Sequence, residues 1–162
     1  MNPYRWAPIS QLLHDWALSV LQPSYPSIVG RIEHEGVVDD CPQLVRVVYA
    51  GSVARADGTG WQGIGCCPVW EDRFRIEIVQ CMPAPNQMGQ RSPAEQDAVV
   101  AFQEQASLLF TAFTAAVEDL RDPTDPNPVG DDGLPTLTQI VPIELDGGIA
   151  GYQFHIRYVR SL

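Results

Sequence analysis

A long amphipathic helix in the second half of the chain constrains the fold more than any other feature. Ser92 suits the N-cap, Pro93 suits the first helical position, and Glu95 stands three residues after the cap, which together make a capping box. Apolar residues then recur every three or four positions over about seven turns, at Val99, Phe102, Ala106, Leu109, Phe113, Val117 and Leu120. An apolar stripe of this length must lie along a flat apolar surface.

Two stretches with alternating apolar and polar residues predict strands that supply this surface. In GYQFHIRYV, the apolar row is Tyr152, Phe154, Ile156 and Tyr158, and the polar row is Gln153, His155 and Arg157. In DRFRIEIVQCM, the apolar row is Phe74, Ile76 and Ile78, and the polar row is Arg73, Arg75 and Glu77. Because side chains alternate across a strand, we expect the apolar rows to pack beneath the helices and the polar rows to remain uncovered.

Weaker patterns complete the order of elements. Apolar residues at helical spacing predict a short first helix over residues 9–21, which ends before Pro23. SIVGRIEHEGVV indicates a weak strand or hairpin arm, and CPQLVRVVYAGSVA, rich in β-branched residues, indicates a firmer strand. TLTQIVPIEL and the final strand flank the turn DGG, which predicts a hairpin.

This order of helix, strands, helix and strands predicts an α+β fold. The simplest arrangement is a mixed or antiparallel sheet of four to five strands with two helices packed on one face. With 162 residues and 45% hydrophobic content, the chain suits a single α+β domain over residues 1–162. RDPTDPNPVGDDGLP contains closely spaced prolines, so the preceding helix cannot continue through it. The stretch predicts a Pro/Asp-rich surface loop at residues 121–135.

The charge of the chain limits its partners. Twenty acidic residues against ten arginines give a formal charge of −10, which argues against a protein that grips the phosphate backbone of nucleic acid. For the acidic stretch between residues 118 and 146 we expect a solvated loop, because the ligand spacing of a calcium loop is missing. No apolar run reaches the length of a membrane span and the N-terminus lacks a signal-peptide pattern, so we expect a soluble product of the cytoplasm.

Residues suited to catalysis or metal binding do not form a known pattern. The four cysteines are Cys41, Cys66, Cys67 and Cys81. None has C-x-x-C spacing, so we expect buried free thiols and no metal. The histidines at positions 14, 34 and 155 fall on different elements, and the sequence has no phosphate-binding loop, nucleophile elbow or zinc-protease motif. We therefore expect no enzyme activity, no catalytic residues and no cofactor.

In its order of elements, the chain resembles a family of phage proteins. CPQLVRVVYAGSVA, DRFRIEIVQCMPAPN, the long amphipathic helix, the acidic loop and the closing YQFHIRYV are similar in succession to the tail-terminator proteins of long-tailed bacteriophages. The similarity includes the first helix and the strand introduced by acidic residues and a proline, DDCPQLV, and covers nearly the whole chain. It is a similarity of pattern and involves no diagnostic motif.

The resemblance implies a structural role in the virion at the junction of tail and neck, after synthesis in the bacterial host cytoplasm. Tail terminators are small α+β proteins that form a ring, typically a homohexamer, on the head-proximal end of the tail tube. The implied partners are further copies of the chain, the major tail tube protein and the head–tail connector or neck proteins. DNA would only pass through the lumen, no membrane is involved, and the family supplies no catalytic residues.

The polar rows give this role a candidate interface, formed by Arg73, Arg75, Glu77, Gln153, His155 and Arg157. We hypothesise that this surface meets a neighbouring subunit or another virion protein, because guanidinium groups form bidentate hydrogen bonds to carboxylates. The alternative is a solvated sheet face. Two other functions stay open: another head–tail connector component, such as a stopper or tail-completion adaptor, and a small cytoplasmic enzyme or ligand-binding α+β domain.

Overall fold

The computed structural model describes residues 5–33, 43–54, 69–82, 85–125, 133–145 and 148–161. Within them the chain forms two α-helices, α1 over Trp6–Leu21 and α2 over Pro93–Ala116, and a short 3-10 helix, η1, over Val117–Leu120. The five strands are β1 Val29–Glu33, β2 Leu44–Ala54, β3 Val69–Cys81, β4 Pro135–Leu145 and β5 Ile149–Ser161. This is the order of elements that the sequence predicts.

The five strands form one mixed sheet in the order β1-β2-β3-β5-β4. β1 runs parallel to β2, and the other neighbours are antiparallel. The predicted α+β class and the β4–β5 hairpin are therefore confirmed, although Asp146 and Gly147 of its turn lie outside the described residues. The strand predicted within SIVGRIEHEGVV is confirmed as β1, and β1 does not form a hairpin with β2, because a hairpin joins antiparallel strands.

Local chemistry explains where the two helices begin. The Ser92 hydroxyl accepts a hydrogen bond from the Glu95 amide at 3.3 Å, and the Glu95 carboxylate accepts one from the Ser92 amide at 2.7 Å. This confirms the predicted capping box of α2. α1 begins three residues earlier than predicted, at Trp6, whose ring stacks on Tyr49 of β2 with 4.6 Å between ring centroids.

Both helices pack on one face of the sheet, as predicted. The buried residues of α1 are Ile9, Ser10, Leu13, Ala17 and Leu21, and those of α2 are Phe102, Gln105, Ala106, Leu109 and Phe113. They share one hydrophobic cluster with the apolar rows of the central strands, which are Val45, Val47, Phe74, Ile76, Ile78, Phe154, Ile156 and Tyr158. The strand registers place these rows side by side on the face that the helices cover.

The opposite face, here called the outer face, is not uniformly uncovered. Leu44 and Val79, which are paired across β2 and β3, have no exposed surface, and neither do Val48 and Glu77. The expectation of an uncovered polar row is therefore wrong at this end of the sheet. Apolar side chains that point away from the helices still require cover. Exposed side chains of the outer face lie at Arg73 and Arg157 on β3 and β5 and at Val29 and Arg31 on β1.

β4 is an edge strand whose sequence is poorly suited to further pairing. It contains Pro135 and Pro142, which have no amide hydrogen to donate. Its register with β5 also shifts between Leu137 and Gln139, so the strand is bent in the middle.

Two expectations about individual residues are corrected. Asp122, assigned from the sequence to a solvated acidic loop, is buried with 2% of its surface exposed. Cys81, expected as a free thiol, is disulfide-bonded, while Cys41, Cys66 and Cys67 lie outside the described residues, as do residues 126–132 of the predicted loop. Among the helices that the structure describes, none is long and apolar enough to cross a membrane.

Candidate interface on the outer face

The structure brings the six predicted interface residues together. β3 and β5 are neighbours in the sheet, and their antiparallel register pairs Arg73 with Arg157, Arg75 with His155, and Glu77 with Gln153. Because residues opposite each other on paired strands project to the same face, the six side chains form three adjacent rows on the outer face. Sequence alternation alone could not show that the two strands are neighbours.

Four of these residues line a groove between β3, β5 and β4 with a volume of about 500 Å³. We call it the basic groove and define it by Arg73, Arg75, His155 and Arg157 together with Glu71. Thr138 and Gln139 of β4 contribute further polar groups to its wall. The groove can therefore hold charged or hydrogen-bonding groups of a partner.

Positive charge exceeds negative charge in the basic groove. Glu71 is the one carboxylate among the residues that line it, against three guanidinium groups. The Glu71 carboxylate is shared, since Arg73 Nε lies 2.9 Å from Oε1 and Arg157 Nη1 lies 3.5 Å from Oε2. Arg73 and Arg157 keep 54% and 35% of their side-chain surfaces exposed, so the surplus charge faces solvent.

The other two predicted residues lie in the row beside the groove, on the same outer face. Glu77 is fully buried, and its carboxylate accepts hydrogen bonds from Arg46 Nε and, at 2.9 Å, from Gln153 Nε2. Arg75 Nε lies 3.4 Å from the same carboxylate. Glu77 and Gln153 are thus committed to contacts within the chain, and the structure does not present the Glu77 carboxylate to a neighbour.

His155 adds a neutral imidazole to the groove at neutral pH. Burial lowers the pKa of His155, the positive charge of Arg75 lowers this pKa further, and Glu77 opposes the shift. His155 Nε2 lies 3.2 Å from the Gln153 amide oxygen. The positive charge of the groove at neutral pH therefore comes from its arginines.

A second ionic cluster, on the helix-covered face, was missed by the sequence analysis. It consists of Arg5, Asp72, Asp122 and Arg160, and we call it the inner cluster. Arg5 lies 3.1 Å from Asp72 and 2.6 Å from Asp122, and Arg160 lies 3.0 Å from Asp72. Asp72 also accepts hydrogen bonds from Trp6 Nε1 and from the Ser52 hydroxyl.

One signal in the sequence could have revealed the inner cluster. Asp72 and Arg160 continue the alternation of the apolar rows of β3 and β5, so they point to the helix-covered face where a charge needs a partner. The nearby Tyr158 hydroxyl donates to the Leu120 carbonyl at 2.8 Å, and burial raises the pKa of Tyr158. The inner cluster therefore lies at a tightly packed end of the core.

Comparison with known proteins adds no assignment to this geometry. No protein-family model matches the sequence, and no curated protein matches it. Within the described parts of the chain, no group of three or more His, Cys, Asp or Glu side chains is arranged to hold a metal ion. The case for a function therefore depends on the fold, the basic groove and the resemblance described above.

Proposed function

We propose that the chain is a phage tail terminator, a virion structural protein that caps the head-proximal end of the tail tube as a ring. In this role it provides the docking surface for the head and neck at the tail–neck junction. The observation that carries the proposal is an exposed basic groove on the outer face of a chain with a net charge of −10. Such local reversal of charge is suited to contact between proteins.

The mechanism requires no catalysis. A growing tube end exposes subunit contacts that are not filled, and a protein with a complementary surface on one side and a different surface on the other ends growth. Stable interfaces of this kind bury on the order of 1,000 Å² or more. Binding of the capping ring alone would stop the addition of tube protein, so we propose no enzymatic activity.

The acidic composition suits a ring through which a genome passes. Phosphate groups of DNA are repelled by a negative wall and retained by a positive one. In the proposed assembly the basic groove would therefore be covered by protein, and acidic side chains would face the lumen. Further copies of the chain, the tail tube protein and neck proteins are the proposed partners.

Tube polymerisation in the presence of the chain tests this proposal. Purified tail tube protein would be polymerised alone, with the chain, and with the heat-unfolded chain as a control, and tube lengths would be measured by electron microscopy. We expect shorter tubes with extra density at one end in the presence of the folded chain. Unchanged tube lengths and bare ends would contradict the proposal.

The same preparation distinguishes a terminator from other connector components. A stopper or tail-completion adaptor would bind neck proteins on the portal side and leave tube length unchanged. The chain would then bind isolated necks but be absent from tube ends.

The basic groove also supports a second candidate function, an anion-binding domain. A volume of about 500 Å³ with arginine, histidine, threonine and glutamine side chains suits a small phosphorylated or carboxylated ligand. This function predicts a monomer or dimer that binds such a ligand, whereas a terminator predicts rings. Native mass spectrometry of the chain alone and with tube protein separates the two.

A further inference from the structure

The basic groove places like charges opposite each other. Arg73 and Arg157 lie directly opposite each other across β3 and β5, an arrangement in which like charges destabilise a sheet. Both side chains reach solvent, and they share a single carboxylate, that of Glu71. A carboxylate supplied from outside would relieve this repulsion.

A conflict of opposite sign lies at the end of α2. Glu118 and Asp119 are adjacent, exposed carboxylates in η1, and no basic residue occupies the last turn of α2. Negative charge is unfavourable at a helix C-terminus. Arg121 Nη2 lies 3.5 Å from Glu118, whose side chain is still 74% exposed. We call Glu118 and Asp119 the acidic corner.

We infer that the basic groove of one copy binds the acidic corner of a second copy. This inference rests on the proposed function, because it takes the chain to assemble with itself. Within the described residues, the acidic corner is the one place where two consecutive exposed carboxylates occur. Each carboxylate can accept paired hydrogen bonds from a guanidinium group, so one contact removes both conflicts.

The positions of the two surfaces determine the type of assembly. The basic groove lies on the outer face, whereas the acidic corner follows α2 on the helix-covered side, where the neighbouring Leu120 carbonyl contacts Tyr158. The contact therefore joins two different surfaces, with both surfaces on every copy. Repetition of such a head-to-tail contact generates a ring when the rotation closes.

A second copy suits the groove better than nucleic acid does. The chain carries a net charge of −10, which repels a long phosphate polymer. A second copy carries the same net charge, but at the contact its acidic corner presents only two carboxylates, and these meet the local surplus of positive charge. A protein–protein contact through opposite charges also selects orientation, as ring closure demands.

Charge reversal with rescue tests the inference. The groove variant is R73E/R157E and the corner variant is E118R/D119R. We expect each to raise the dissociation constant of self-association roughly 30-fold or more, as seen when a close interfacial charge pair is broken. An equimolar mixture of the two variants should assemble again, because each reversed surface then meets an oppositely charged one. Sedimentation velocity and native mass spectrometry measure the result.

Matched controls separate this effect from net charge and from folding. R31E is a single reversal on β1, outside the groove, and is compared with R73E alone; E104R is a single reversal on α2, outside the corner, and is compared with E118R alone. R31E and E104R should assemble as the wild type does, whereas R73E and E118R should assemble more weakly. The corner variant changes only exposed positions, so it should retain its fold. The neutral variant R73Q/R157Q replaces the groove variant if reversal beside Glu71 prevents folding, and it should also lose self-association.

Several outcomes would overturn the inference. They are assembly of the corner variant at wild-type strength, failure of two folded variants to assemble when mixed, and a wild-type chain that stays monomeric both alone and on tail tubes. Loss of binding to a labelled DNA duplex in the groove variant, with rings intact, would assign the groove to nucleic acid instead. If the variants still cap tubes but their mixture does not restore self-association, this contact is rejected and the proposed function stands.

Discussion

The inner cluster and the basic groove lie on opposite faces of the same two strands, β3 and β5, and differ in balance and exposure. In the inner cluster two arginines meet two aspartates, and both carboxylates are completely buried. The basic groove is lined by three arginines and one glutamate at a surface that solvent reaches, and two of these arginines share that glutamate. A balanced and buried cluster serves the fold of one chain, whereas surplus charge at a surface can serve contact with another.

The energetic consequences differ accordingly. Burial of a charge is costly unless geometry and hydrogen bonds offset the lost hydration, and Asp72 has four neighbouring donors for this purpose. Exposed ion pairs contribute only about 0–1 kcal/mol. We therefore expect changes in the inner cluster to alter stability and changes in the groove to alter association.

The largest effect should come from removing the shared charge of the inner cluster. Asp72→Asn removes the carboxylate that Arg5 and Arg160 share and leaves Arg5 with Asp122 alone, and we expect the free energy of unfolding to fall by about 3–5 kcal/mol. Urea unfolding followed by circular dichroism measures this change. Asp97→Asn, at an exposed position of α2, is the matched control and should change stability little. A loss below about 1 kcal/mol in Asp72→Asn would remove the distinction between the clusters.

An intermediate effect is expected beside the groove, at Glu77. Glu77→Gln removes the negative charge that faces Arg46 and Arg75. Arg46 retains a second acidic partner, because its Nη1 lies 3.3 Å from the Glu33 carboxylate. We expect a loss of about 2 kcal/mol in the free energy of unfolding. Urea unfolding would be compared with that of Glu104→Gln on the exposed side of α2. Unchanged stability would show that Glu77, although buried, contributes no more to the free energy of unfolding than the exposed ion pairs of the groove do.

The smallest effect concerns the dependence of stability on pH. The pKa of His155 is lowered by burial and by Arg75, against the opposing effect of Glu77. The unfolded chain, with an ordinary histidine pKa of about 6.5, therefore binds the proton more readily than the folded chain does. Stability is retained above this pH and falls as the pH drops through the lowered pKa.

His155→Gln removes this titration and retains a polar side chain. We expect its free energy of unfolding to fall less than that of the wild type between about pH 7 and pH 5. Urea unfolding at a series of pH values measures both slopes. Equal slopes for the two proteins would show that His155 does not contribute to the pH dependence.

Local patterns predicted much of the fold. The capping box at Ser92 and Glu95 and the alternation of β3 and β5 depend on neighbours in sequence, and the structure confirms them. The parallel pairing of β1 with β2 depends on distant residues, so alternation could not predict it. The burial of Asp122 depends on Arg5, more than a hundred positions earlier in the chain.

The sequence predicted the candidate site only in part, because the contacts between its residues also depend on distant parts of the chain. Alternation identified its six residues as members of polar rows, but the register between strands decides which of them meet. Glu77 is buried because Arg46 of β2 lies beside it, a neighbour that the polar row of β3 does not reveal. The disulfide at Cys81 likewise depends on a tertiary contact, which single-sequence spacing does not specify.

The form of β4 has a consequence for how copies can join. A regular exposed edge invites another strand to extend the sheet without limit, which leads to fibres and precipitates. Two imino acids and a shifted register interrupt that edge here, so stacking through the backbone amides of β4 is discouraged. At that edge recognition is left to side chains, which distinguish one orientation from another and can end an assembly at a set number of members.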